Sequence, residues 1–372
     1  MHSLPPSFNA ILARLSQTHP FSCLSLPQLE YAVKSACVES AVAGQALINE
    51  GSGGLDYLVL LDGELEVRRR FLNEQGMLEC EVGRLHPGDG AGELALLRGI
   101  SRQASVSAIR ASRYLRINGE CMEELLAWSQ CLTKELNNVA EARERMNLVR
   151  QAGPFRLLPL ENVQRAFAAL RPMVVKDGAV IIRQGDSGDL YFIIERGVAE
   201  VSRVDTASGI TEALAVIGPG DGFGEEALLL GGFRNATVKM QTNGCLWTLR
   251  KQDFDVLVKP TVVEEFSAIQ AQELALSNTV RWIDCRYEVE LEEGFLPGSI
   301  HLPLDALRHS TGILDKHHTY VVYCHSGRRS VCAAYLLRER GFLAYSLIGG
   351  IRDWPYTIVR HADKIASECV LA

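Results

Sequence analysis

The chain is 372 residues long, 47% hydrophobic and 22% charged, with a net charge of −7. That make-up predicts two or three ordinary globular domains. It offers no apolar run near the ~18 residues of a membrane span, and its acid excess disfavours nucleic acid as a partner. The opening residues 1–6 lack the charged-then-apolar pattern of a secretory signal. Ten cysteines occur without a CxxC or a metal-type spacing, which argues for a reduced cytoplasm and for no metal centre.

In chain order, 24–37 reads as a helix ahead of short apolar runs at 57–61 and 64–67, with a hairpin tip at 70–76. Residues 120–150 form a long amphipathic stretch, apolar at Met122, Leu125, Leu126, Leu132, Leu136, Val139 and Met146. One helix is expected there, linking two domains, with homodimerisation as a second use of the same face. A helix at 160–170 precedes further runs at 190–194 and 198–201, and 252–258 reads as a short helix stopped by Pro260. The last hundred residues change grammar. Strands at 280–285, 319–324 and 344–347 alternate with helical segments around 271–277, 304–307, 330–340 and from Trp354 onward, an α/β pattern with a mainly parallel sheet.

An internal repeat organises the first two thirds. Gly51 and Gly63 recur 134 residues on as Gly185 and Gly197, and Gly88, Glu93 and Arg102 recur 132 residues on as Gly220, Glu225 and Arg234. The length change falls at the predicted hairpin tip, where duplicated β domains tolerate it. Short strands at this spacing predict two antiparallel β-barrel or jelly-roll domains with flanking helices.

Each copy carries one cassette. Gly92, Glu93, Ala95 and Arg102-Gln103-Ala104-Ser105 match Gly224, Glu225, Ala227 and Arg234-Asn235-Ala236-Thr237. A glycine lets the backbone approach a ligand, and a helix starting beside it offers free N–H groups to a phosphate. An arginine adds charge-assisted hydrogen bonds. Barrel turns with surface ion pairs would need none of this twice over. The pattern F-G-E-x-A-L followed by R-x-A-T/S resembles the cyclic nucleotide-binding domain family. The resemblance implies that Glu225 holds a ribose hydroxyl, Arg234 the cyclic phosphate, Ala236 a close packing position and Gly224 a backbone approach. Glu93, Arg102, Ala104 and Gly92 form the corresponding set. Ala91 stands where the family usually has an aromatic residue. Gln103 and Asn235 match neither the small apolar residue that goes with cAMP nor the hydroxyl that goes with cGMP. cAMP is the expected ligand, as the commoner one among bacterial-looking members, and cGMP the alternative.

The third feature is Cys324-His325-Ser326-Gly327-Arg328-Arg329-Ser330, between a predicted buried strand and a predicted helix. Strand, tight loop and helix N-terminus place the sulfur among backbone N–H groups, and the positive helix end and two arginines favour thiolate. This loop resembles that of the rhodanese family. So do Asp284-Cys285-Arg286, the stretch 294–303 (with Phe295 for the usual histidine) and 347–351 with Trp354. The likeness covers about 261–372. It implies sulfur transfer through a Cys324 persulfide, from a donor such as thiosulfate to a thiol or cyanide. Arg329 is then the anion-binding arginine, Gly327 lets the loop curl, and Arg328 and Ser330 add charge and a capping hydroxyl. His325 reads as a solvent-facing side chain, Cys332 and Cys285 as buried core thiols, and His317-His318 as a polar turn.

The expected organisation is a first cyclic nucleotide-binding domain with its linking helix at 1–150, a second at 151–260 and a rhodanese domain at 261–372. The function expected is a cytoplasmic, cyclic nucleotide-responsive sulfurtransferase. The rival from another class is a nucleotide-sensing adaptor whose rhodanese domain carries persulfide or docks partners without appreciable turnover. A helix-turn-helix regulator would need a different C-terminal domain, and a gated channel would need membrane spans.

Overall fold

The computed structural model describes residues 7–360 apart from 74–75, 205–207, 278 and 310. Two compact units divide the chain, Met1–Asn147 and Leu148–Ala372. Among the described residues no helix is long and apolar enough to cross a membrane.

The first unit is a barrel of two four-stranded antiparallel sheets. One orders Ala36–Ala41, Ser112–Ile117, Tyr57–Asp62 and Gly90–Ala91; the other orders Ala46–Ile48, Ser105–Ala108, Leu65–Asn73 and Gly76–Leu85. The second unit repeats this. Arg171–Val175, Gly244–Arg250, Leu190–Arg196 and Gly222–Phe223 form one sheet, and Val180–Ile182, Thr237–Met240, Ala199–Val204 and Thr211–Ile217 the other. Strand order is identical in the two copies, so the sequence repeat is a structural one. Even a side-chain bond recurs: Ser105 Oγ accepts from the Glu50 N–H at 3.0 Å, and Thr237 Oγ1 from the Gln184 N–H at 3.0 Å. Apolar side chains alternate inward, as strands with one buried face require. Leu58, Leu60, Val106 and Tyr114 fill the first barrel, and Phe192, Ile194, Val238 and Leu246 the second.

The second unit continues into a five-stranded sheet ordered Glu265–Phe266, Leu343–Leu347, Thr319–Tyr323, Val280–Asp284, Ile300–His301, with every neighbouring pair parallel. Helices Ala268–Leu276, Leu304–His309 and Arg328–Glu339 complete the expected α/β domain.

Four expectations change. The 24–37 helix is Leu26–Lys34, capped by Ser25 with Gln28, and Ala36 and Cys37 already pair with Ile117 and Arg116 in the sheet. The single helix at 120–150 is two, Gly119–Trp128 and Gln130–Gln151. Ser129 breaks it by going extended (φ −130°, ψ 99°), so that its hydroxyl accepts from the Leu132 N–H. Pro260 does not end the order after Lys251–Leu257. It sits in the first turn of another short helix, Lys259–Val262, where its missing N–H costs no bond. Among the described residues 354–360 no helix forms, because Pro355 biases Trp354 toward extended backbone, and the rest of that expected segment lies outside the described residues; the Trp354 ring packs edge-on against Trp282, centroids 5.2 Å apart. The hairpin at 70–76 is present but longer, its strands reaching Asn73 and Gly76; the turn lies outside the described residues.

Candidate functional site

In the first cassette Gly92 has φ 116°, and a Cβ there would lie 2.5 Å from the Asp56 carbonyl oxygen, so only glycine fits. It precedes the short helix Glu93–Arg98. Arg102 is 6% exposed and held by main-chain carbonyls, donating to Asp56 at 2.8 Å and Gly92 at 3.4 Å. Its charge is thus oriented without being matched by a carboxylate at those contacts. Glu93 is buried and ion-paired at 2.5 Å to Arg143, which also donates to the Gly90 carbonyl at 2.7 Å. Ala91, Gly92, Glu93, Ala95, Arg102, Gln103 and Ala104 border a cavity of ≈ 140 Å³. Gln103 turns back to the Ser101 carbonyl at 2.9 Å. Sequence reasoning missed Arg143: it lies 50 residues from Glu93, and only the fold joins them.

The second cassette repeats the frame. Gly224 (φ 95°) precedes the helix Glu225–Leu230, and Arg234, again 6% exposed, donates to the Gly224 and Leu190 carbonyls at 2.7 Å each. Its cavity of ≈ 220 Å³ is bordered by Glu225, Ala227, Asn235 and Ala236 among others. Asn235 donates to Glu226.

Glu225 departs from its counterpart. The residue is partly buried, but its Oε2 is sealed from solvent and has no hydrogen-bond partner. Burial, then the charges of Glu226 and Glu339, push its carboxyl up to about 8, against the lowering pull of Arg234. Glu339 and Tyr335 lie on the helix Arg328–Glu339, against which the Glu225 helix packs. A Cβ on Gly153 would lie 3.1 Å from the Tyr335 hydroxyl, 3.3 Å from Glu339 Oε1 and 3.7 Å from the Tyr191 hydroxyl, so these groups converge. A carboxyl raised in the fold favours the protonated chain. Its contribution is therefore intact near pH 4.5 and lost as pH rises toward 8. Glu225→Gln is expected to be stabilising at pH 8, on the order of 2–3 kcal/mol, and near neutral at pH 5. Urea denaturation of both proteins at the two pH values checks this; equal differences would refute it.

Cys324 follows the strand Thr319–Tyr323 and is 1% exposed. Gly327 (φ 88°) opens the helix Arg328–Glu339. The loop is backed by the glycine turn at 349–350: the Ile351 N–H donates to the Cys324 carbonyl at 2.8 Å, and a Cβ on Gly350 would lie 2.3 Å from that oxygen. The thiol is pulled down to about 5, first by a hydrogen bond from Cys285, then, against burial, by the Ser330 N–H and hydroxyl and the Ser326 N–H. Ser330 Oγ lies 3.8 Å from the sulfur and 2.9 Å from the Gly327 carbonyl oxygen.

Arg329 is held by Glu290 through two 2.6 Å bonds and lies over the Tyr287 ring. Those bonds take Glu290 down to about 2. Arg328 and His325 are exposed, and Cys332 is buried in the helix. Cys285 is buried too, but against Cys324 and not merely in the core, which its place in an apolar strand did not reveal. Asp284 and Arg286 flank it in a buried ion pair of 2.7 Å, with Arg286 donating onward to the Glu290 and Gly294 carbonyls.

Fold and sites together define a multidomain chain: two β-barrels, each with a buried arginine over a glycine-started helix, and an α/β domain with a thiolate at a helix N-terminus. Residues 38–128 and 172–260 match the family profile of the cyclic nucleotide-binding domain, and 267–355 that of the rhodanese-like domain. The chain carries two cyclic nucleotide-binding domains followed by a rhodanese-like domain. The cAMP-dependent protein kinase regulatory subunit of Blastocladiella emersonii is 29% identical over 252 residues, 67% of this chain and 59% of that protein. The cGMP-dependent protein kinase egl-4 of Caenorhabditis elegans is 29% identical over 219 residues, 59% of this chain and 26% of that protein. The chain thus spans between a quarter and three fifths of the length of these relatives, both eukaryotic. Among solved structures, the regulatory domain of Toxoplasma gondii PKA in co-crystal with cAMP is 25% identical, covering 67% of this chain and 91% of that one, with a TM-score of 0.30.

Proposed function

We propose that the chain is a cyclic nucleotide-responsive sulfurtransferase that moves sulfane sulfur through a persulfide on Cys324. One observation carries the reading: the helix whose N-terminus faces Cys324 packs against the cassette helix that starts at Glu225, and its Tyr335 and Glu339 lie close enough to act electrostatically on Glu225. A ligand that engages Glu225 acts on the same helix that shapes the sulfur loop. It can regulate only if it prefers one arrangement of those helices to another. On this reading the domains run 1–150, 151–260 and 261–372. Arg234 binds the cyclic phosphate and Glu225 the ribose, with Arg102 and Glu93 in the first barrel. Relatives described as cAMP-dependent and cGMP-dependent support cAMP or cGMP as ligand. The test is the thiosulfate:cyanide sulfurtransferase rate with and without saturating cAMP and cGMP; identical rates would remove regulated catalysis.

Arg234→Ala is expected to weaken nucleotide binding at the second barrel by about 10- to 100-fold, because charge-assisted bonds to an anion are worth about 1.5–3 kcal/mol. Calorimetric titration of Arg234→Ala and Arg102→Ala separates the barrels, and affinities equal to the parent's would reject the assignment.

A second reading has its own observation. Arg329 is already engaged by Glu290, which leaves less free charge for a small anionic donor. In that reading the rhodanese domain is a persulfide carrier or docking module of a nucleotide-sensing adaptor. Cys324→Ser would then abolish function in the cell although thiosulfate turnover is negligible in the parent protein.

A further inference from the structure

The sulfur site holds two sulfurs. Val280–Asp284 and Thr319–Tyr323 are parallel neighbours with Asp284 opposite Tyr323, and the Cys285 N–H donates to the Tyr323 carbonyl at 3.0 Å. One residue further along both chains sets Cys285 opposite Cys324, on the same face of the sheet because both strands share the alternation. Neighbouring strands lie about 4.8 Å apart, inside the Cα separation of about 4.4–6.8 Å that a disulfide spans. Both residues are 1% exposed, and each thiol lies close enough to shift the other's ionisation, Cys285 downward on Cys324 and Cys324 upward on Cys285. The Asp284–Arg286 ion pair on either side of Cys285 holds this strand end in place.

The two sulfurs are unequal. Cys324 faces the helix N-terminus and is held as thiolate, whereas burial holds Cys285 protonated. A reactive thiolate touching a sheltered thiol is the arrangement of a dithiol couple, in which the first takes up a group and the second resolves it.

We propose that Cys285 is the resolving thiol of this site, closing a disulfide with Cys324 and expelling the bound sulfane sulfur as hydrosulfide. The proposal rests on the Cys324 persulfide of the preceding subsection. The Cys324 thiolate first displaces sulfite from thiosulfate and becomes the persulfide anion. Cys285 then attacks Cys324 Sγ. The Cys285–Cys324 bond forms, the bond from Sγ to the outer sulfur breaks, and that sulfur leaves with the electron pair and the Cys285 proton. The outer sulfur is reduced and the two cysteines are oxidised by the same two electrons. An external dithiol reductant then reopens the disulfide by exchange. The activity implied is sulfide release from a sulfane donor at the expense of a dithiol.

The test uses the full chain, reduced, freed of reductant and given equimolar sodium thiosulfate without an acceptor thiol. The parent protein is expected to release about one hydrosulfide per chain and to yield the Cys285–Cys324 disulfide on peptide mass mapping. Cys285→Ser, whose hydroxyl keeps a donor but cannot close a disulfide, is expected to hold the persulfide and release less than about a tenth of that sulfide. Equal release from both proteins, or a parent persulfide that persists with Cys285 still alkylatable, overturns the proposal. A second arm uses hydrogen peroxide in place of the donor. Oxidation of Cys324 to a sulfenic acid, followed by condensation with Cys285 and loss of water, gives the same disulfide, which dithiothreitol reverses. If thiosulfate loads no sulfur but peroxide closes the disulfide, the sulfurtransferase reading fails and the dithiol couple stands. A sulfenic or sulfinic acid on Cys324 beside a reduced Cys285 sinks the couple itself.

Discussion

Replacing Cys324 by serine is expected to lower sulfur uptake from thiosulfate by more than about 10³-fold, because a hydroxyl at that position is neither ionised nor nucleophilic near neutral pH. The electrostatics of the loop make a companion expectation for the parent protein. With the thiol drawn down to about 5, alkylation by iodoacetamide should run at an almost constant rate from pH 6 to 8 and fall only as pH drops through 5. An ordinary thiol would instead speed up about tenfold per pH unit over that range. A rate that climbs steadily to pH 9 would mean that the Cys285 thiol and the Ser326 and Ser330 N–H groups do not stabilise the anion. The persulfide route would then lose its basis. Cys285→Ala should move the profile toward higher pH, and Cys285→Ser should restore part of the shift, since the hydroxyl is again a donor.

The largest stability effect is expected at Arg286. Its guanidinium is fully buried, grips Asp284 at 2.7 Å and satisfies the carbonyls of Glu290 and Gly294. Arg286→Ala leaves a buried carboxylate without its partner and two carbonyls without a donor, at a cost of about 3–5 kcal/mol. Urea denaturation followed by tryptophan fluorescence reads it, since Trp282 is in the adjoining strand. The same variant should slow Cys324 alkylation, because Cys285 is positioned between the two charged residues. Loss of less than about 1 kcal/mol would mean that water enters and replaces the pair.

The repeat, the cassettes and the sulfur loop were all legible along the chain because each is local. A glycine with positive φ, a helix start and an arginine ten residues on must be close in sequence to work at all, as Gly92 and Arg102 or Gly224 and Arg234 show. Strand pattern was legible for the same reason, since alternation and Gly-rich turns are short-range. Helix limits were less so. Ser129 ends a helix that periodicity alone continues, because a cap hydrogen bond outweighs the weak preference of one residue for helix.

By itself the sequence determined the three modules and which residues stand in each cassette and in the sulfur loop. Tertiary structure alone decided what those groups face. Glu93 meets Arg143 while its repeat partner Glu225 faces other carboxyls, so equal motifs acquire unlike surroundings. Cys285 and Cys324 are 39 positions apart in the numbering and become neighbours only through the register of two parallel strands. Electrostatic interactions and sulfur–sulfur contact act through space over a few ångströms. A linear pattern specifies which residues can take part, and packing sets those distances.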